Sequence, residues 1–385
     1  METTKKKKEN LFNYAFKDNA FTPDDAAKGL LLFLVFETAI VLIYQATFTL
    51  GMTSSFFSYF FNVLLDVCFV LTVVIIAKNR KNDTISELRV KKAPSLLQLI
   101  LCIATSLVCI FGFSALTNCF LQLLYNMGYS SLSSDIVVSN VGSYLVYTLF
   151  VCIIPAVCEE ILFRGLIFTG LKKINTTIGV IGSAFLFMIM HGSPDQTVHQ
   201  FILGIVLALA FLITNNLWIP ILIHFFNNFI AVTYAFIAYG DSTSAEVEVV
   251  EVYLSQYFIY ALISTIIASC LIYIIFKGFA YINDRNAEKE SQKNPNYNGS
   301  GTLGAEVEYR VLETTSEFGV DNEAVGKSNE EVIQGQIYAN PEIISSRSML
   351  NNPNQMTKQG KFIMGIAIVW LALDWCLALI QGFLL

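Results

Sequence analysis

Apolar residues run along this chain in blocks of about 20 separated by polar stretches, and a bilayer core of about 30 Å calls for helices of roughly that length. Nine blocks can be read: 28–50, 55–77, 95–120, 142–170, 174–191, 197–214, 217–239, 255–279 and 361–384. They predict an all-α polytopic membrane protein with about eight core transmembrane helices and one C-terminal transmembrane helix. Thr22-Pro23-Asp24-Asp25 opens the first block with a capping residue and a proline at the first helical position. That block is too long, and begins too far into the chain, for a cleaved signal peptide.

The pattern breaks at 280–360, a segment rich in Asn, Ser, Glu and Gly. It reads as a polar, largely disordered linker between the membrane domain (28–279) and a last helix (361–385), with 1–27 as a cytosolic N-terminal segment. The apolar patch Tyr309-Arg310-Val311-Leu312 is too short for a domain. Asn298-Gly299-Ser300 fits the glycosylation pattern by chance, because it falls on the cytosolic side of the topology below.

Composition agrees with lipid as the main solvent: 55% of the 385 residues are hydrophobic and 14% charged, with a mean hydropathy of +0.58. Basic residues set an orientation. Lys5 to Lys8, the loop with Lys78, Arg80, Lys81, Arg89, Lys91 and Lys92, and Lys172 with Lys173 all fall on one side. The acidic segment holding Asp241, Glu246, Glu248 and Glu251 falls on the other. The N-terminus is expected in the cytosol and the C-terminus, nine spans later, outside. The net charge of −6 is spread over loops and leaves no nucleic-acid footprint. All eight cysteines lie inside spans without C-x-x-C spacing and read as small buried apolar residues.

A charged side chain deep in a bilayer needs a partner, a wet cavity or a function. The fourth block carries Glu159-Glu160-Ile161-Leu162-Phe163-Arg164. Glu160 and Arg164, four apart, share a helix face and can pair, while Glu159 points about 100° away and is left free to take a proton from water. A structural salt bridge with a spare acid is the plainer reading. Two of the three histidines sit in or at the ends of other blocks: His191 closes Phe187-Met188-Ile189-Met190-His191, and His224 has Asn228 one turn on. At about 1.5 Å per residue the four lie roughly 11 to 24 Å from the cytosolic ends, so one pocket can hold them all. Peptide hydrolysis needs a base and an orienter for water, and donors for the oxyanion. Glu159 with His191 suits the first pair, and His224 with Asn228 the second. No cofactor is required by this set, although the same side chains also suit a divalent metal such as zinc.

Glu159-Glu160-x-x-x-Arg164, Phe187-x-x-x-His191 and His224-x-x-x-Asn228, in that order, resemble the three motifs of the CPBP family, the CAAX-protease and bacteriocin-processing intramembrane endopeptidases. The resemblance covers a core at about 142–235. It implies a relation to type II CAAX prenyl endopeptidases and a metal-free glutamate mechanism. Glu159 and His191 would activate water, His224 and Asn228 would form the oxyanion hole, and Glu160 and Arg164 would support them. The expected substrate is a C-terminal segment, lipidated or not, or a small peptide, at the cytosolic leaflet. The linker and last helix lie outside the family's core pattern. A non-catalytic protein of the same fold, serving bacteriocin immunity or scaffolding, is the alternative, and a proton-coupled transporter a more distant one. His199 and the turn Gly192-Ser193-Pro194-Asp195 read as loop chemistry near the mouth, and Glu37, Asp66 and Asp374 as helix-packing acids near an interface.

Overall fold

The computed structural model describes residues 21–51, 55–80, 88–90, 93–130, 138, 140–239, 254–293 and 354–384. Among the described residues every regular element is a helix. We number them α1 (Pro23–Thr49), α2 (Ser55–Asn79), α3 (Leu96–Asn126), α4 (Val141–Lys172), α5 (Ile178–Met190), α6 (Thr197–Thr214), α7 (Trp218–Tyr239), α8 (Leu254–Lys293) and α9 (Lys358–Leu384). Among the described residues eight helices are long and apolar enough to cross a bilayer, so the chain is a multi-pass integral membrane protein. The patches at 298–300 and 309–312 lie outside the described residues.

α1 starts where its sequence says it should. The Thr22 hydroxyl accepts from the Asp25 amide, and the Asp25 carboxylate accepts from the Thr22 amide, closing a capping box with Pro23 in the first turn. α5 is shorter than expected. Its 13 residues reach only about 20 Å, because Gly192 adopts a left-handed φ of +56° and Pro194 opens a tight 3₁₀ turn. This helix therefore ends at the depth of the polar residues and hands the chain back to α6. α8 instead continues through Lys293, 14 residues past the expected end of its span at 279. Four cysteines are buried, as expected, whereas Cys119 and Cys158 are half-buried and Cys270 and Cys376 exposed on outward helix faces.

Contacts between the helix ends give the bundle two distinct ends. At one, Asp25 of α1 pairs with Arg80 just beyond α2, the Leu217 amide donates to the Arg89 carbonyl, and Asn283 of α8 donates to the Ile213 carbonyl. The Thr357 amide and hydroxyl both donate to Asp24 there, at 2.9 and 2.6 Å, fixing the start of α9 beside the start of α1. At the other end the Ser130 amide donates to the Gly382 carbonyl, at 2.7 Å. α9 buries Gly360, Met364, Ala367 and Leu371, spaced four, three and four, and this narrow stripe runs along α1. α5 and α6 approach most closely where Gly204 meets Ala184: a Cβ on Gly204 would lie 2.9 Å from the Ala184 Cα.

Candidate active site

α4 positions the acidic pair. Its helix widens to π-type turns at Thr148–Ile153 and Ile161–Phe168, flanking the segment Ile154–Glu160 that ends on the two glutamates. Such turns free backbone groups and recur at functional sites. The two carboxylates then part company. Glu160 is fully buried, and its Oε1 accepts from Arg164 Nη1 at 2.8 Å and from His224 Nδ1 at 3.0 Å. Arg164 spends its other terminal nitrogen on the Gly204 carbonyl of α6, at 3.0 Å. The i,i+4 pair expected from the spacing thus exists, and it also ties α4 to α6 and α7.

Glu159 faces a cavity of about 590 Å³ lined by all seven helices from α1 to α7 or their ends. Its Oε2 lies 4.0 Å from His191 Nε2, too long for a hydrogen bond and short enough for both atoms to contact one small molecule. His191 Nδ1 donates to the Phe187 carbonyl at 2.7 Å, since a carbonyl only accepts. That fixes the tautomer: in the neutral ring Nε2 presents its lone pair toward Glu159.

Phe187 explains why an aromatic residue precedes His191 by one turn. Its ring packs edge-on to His191 and His224, with centroids 4.7 and 5.7 Å apart, and the Arg164 guanidinium lies 4.7 Å over it. One side chain therefore separates the buried Glu160–Arg164–His224 group from the open Glu159–His191 pair and holds both in register.

Asn228 and His224, one turn apart on α7, line the same cavity. Asn228 Nδ2 donates to the Val151 carbonyl in the first π-type turn of α4, at 3.1 Å. Glu159, His191, His224 and Asn228 are thus brought together, with Glu160 and Arg164 behind them. No role had been expected for Asn227, and His199 had been read as part of a loop. Both line this cavity, and His199 belongs to the first turn of α6. Glu37 and Asp66 also line it, rather than sitting at an interface, while Asp374 is on an exposed face of α9. Their only sequence signal was that polar residues are rare in such helices.

Residues 141–230 match the family model for Rce1-like type II CAAX prenyl endopeptidases. The matched segment carries all three motifs, runs from the start of α4 into the middle of α7, and is similar to the CAAX-protease family. Every side chain named above from Val151 to Asn228 falls within the CAAX-protease match, whereas α1 to α3, α8 and α9 lie outside it. No curated protein and no solved structure matches the chain.

The fit of a metal can be tested on the donors themselves. Among the described residues no group of three or more His, Cys, Asp or Glu side chains is disposed to hold an ion. Glu160 Oε1 and His224 Nδ1 are bonded to each other, and His191 Nδ1 is taken by a backbone carbonyl. Glu159 and His191 Nε2 form a close pair, fewer than the three protein ligands of a catalytic zinc.

Proposed function

We propose that this chain, whose residues 141–230 resemble the CAAX-protease family, is an intramembrane endopeptidase that hydrolyses a peptide bond with water activated by Glu159 and His191. The observation that carries the reading is the 4.0 Å approach of Glu159 Oε2 to His191 Nε2 on the wall of the cavity that also presents His224 and Asn228.

A water molecule held between these two atoms donates one hydrogen bond to the carboxylate and one to the imidazole. Its oxygen attacks the scissile carbonyl carbon while Glu159 takes its proton. The carbonyl oxygen becomes an oxyanion, to which Asn228 donates through the N–H that Val151 does not use. His224 can donate from Nε2 only when its ring carries both protons, because Nδ1 already donates to Glu160. Collapse of the tetrahedral intermediate breaks the C–N bond, and Glu159 returns its proton to the leaving amine. The products are a new carboxylate and a free amine, and no step passes through a metal.

The name of the matched family points to a CAAX-type C-terminal segment, and a cavity among apolar helices suits a substrate presented from lipid. The test is mass-spectrometric profiling of peptides from membranes holding the wild type or Glu159→Ala, with a chelator arm. The expected result is C-terminal fragments that vanish in the variant and persist under chelation. Fragments retained in Glu159→Ala would overturn the assignment of the base, and loss under chelation would overturn the metal-free mechanism.

A further inference from the structure

We infer that His199 and Asn227 are positioning residues that lock the Asn228 side-chain amide with its nitrogen on the substrate side. The inference rests on the proposed function, since it concerns the oxyanion donor of that reaction. An asparagine amide has two chemically opposite ends of nearly equal size, and only the nitrogen can donate to an oxyanion. Something must therefore choose between two orientations that packing alone barely distinguishes.

The choice is made by a chain of three side chains. Asn228 Nδ2 faces the Val151 carbonyl at 3.1 Å, an atom that can only accept. Asn228 Oδ1 lies 3.3 Å from Asn227 Nδ2, which donates to it. Asn227 Nδ2 has a second proton, and His199 Nε2 takes it at 3.3 Å. Asn227 is 4% exposed, so bulk water hardly competes for these bonds. His199 is thereby the neutral ring with its proton on Nδ1.

Reversing any member propagates. If Asn227 turned its oxygen toward His199, that oxygen would also oppose Asn228 Oδ1. Asn228 would have to reverse in turn and set its oxygen against the Val151 carbonyl, pairing two acceptors and withdrawing the donor from the oxyanion. The Val151 carbonyl, which can only accept, and His199, in the tautomer that accepts at Nε2, thus hold the two ends of the relay and leave the Asn228 amide one orientation. Its effect belongs to the transition state rather than to substrate binding, because the oxyanion exists only there.

The test is steady-state cleavage of a farnesylated C-terminal CAAX peptide by the full-length protein in liposomes. His199→Leu, which removes the acceptor, is expected to lower kcat roughly 10- to 100-fold with KM unchanged. His199→Gln, whose side-chain oxygen can accept from Asn227, is expected to stay within about threefold of the wild type. Adding His199→Leu to Asn228→Ala should cost nothing further, because the relay has no amide left to orient. A purely structural role would give multiplicative losses and no rescue by glutamine. Should His199→Leu fail to fold, Asn227→Asp decides, since it keeps the shape and puts an oxygen where the donor was; wild-type turnover there overturns the relay. Glu159→Ala in the same series separates the failures. Activity surviving in it removes the proposed function, whereas activity lost there and in Asn228→Ala but intact in His199→Leu removes only the relay.

Discussion

Glu160 Oε1 receives two donors, one from a guanidinium and one from an imidazole, in a place with no solvent. Removing one partner from such a group leaves a buried charge without compensation, which costs about 3–5 kcal/mol. Arg164→Met should therefore lower the unfolding midpoint in detergent by far more than a surface change does. Arg164→Lys should recover only part of it, since an ammonium lacks the fork that reaches both Glu160 and the Gly204 carbonyl. An unfolding midpoint equal to the wild type in Arg164→Met would show that the pair is not a structural anchor. The local half of this arrangement was legible in the sequence, because four residues on one helix fix which side chains meet. The remote half was not: Asp66 and Glu37 share the cavity with Glu159 only through the packing of α1 and α2 on α4, which no local spacing encodes.

At the scale of helices, the hydropathy pattern marked where lipid begins and ends, not where the backbone stops being helical. α8 outlasts its apolar stretch because exposed polar residues such as Arg285, Asn286 and Lys289 can be solvated without breaking its hydrogen bonds. α5 stops early for a reason present in the sequence, Gly192 followed by Pro194, although the apolar run alone suggested a full crossing. The close contact between α5 and α6 is equally local in cause. A methyl group on Gly204 would meet the Ala184 backbone at 2.9 Å, so α5 and α6 must separate to admit it. The carbonyl that Arg164 needs lies on that same residue. Gly204→Ala is expected to reduce both thermal stability and turnover, while Gly365→Ala on α9, where a Cβ meets nothing within 4 Å, serves as a neutral control. Equal behaviour of the two variants in a thermal shift assay would contradict this account of the α5–α6 seam.

Across the whole molecule, α9 is fastened at three levels: Thr357 to Asp24, Trp375 to Thr197, and Gly382 to Ser130. The middle bond, 3.1 Å long, reaches the first residue of α6, directly after the turn whose Asp195 and Gln196 line the cavity. Trp375→Phe keeps the aromatic bulk and deletes the donor, and should cost about 1 kcal/mol in detergent unfolding. The layout also brings the start of α1 and the start of α9 to one end, with Arg80, Arg89 and Lys172 near it. With the basic end in the cytosol, a tag at the N-terminus and a tag at the C-terminus should be protected from protease on opposite sides of sealed vesicles. Tags digested from the same side would overturn that topology.

The proposed hydrolysis depends most on a carboxylate, Glu159, that takes a proton from water inside the bundle. The direct measurement is turnover of a farnesylated C-terminal peptide by purified Glu159→Gln, alongside its unfolding midpoint. Glutamine preserves size and hydrogen bonding and cannot accept that proton, so kcat should fall roughly 10²- to 10⁴-fold with the midpoint unchanged. A glutamine variant that cleaves at the wild-type rate would contradict it.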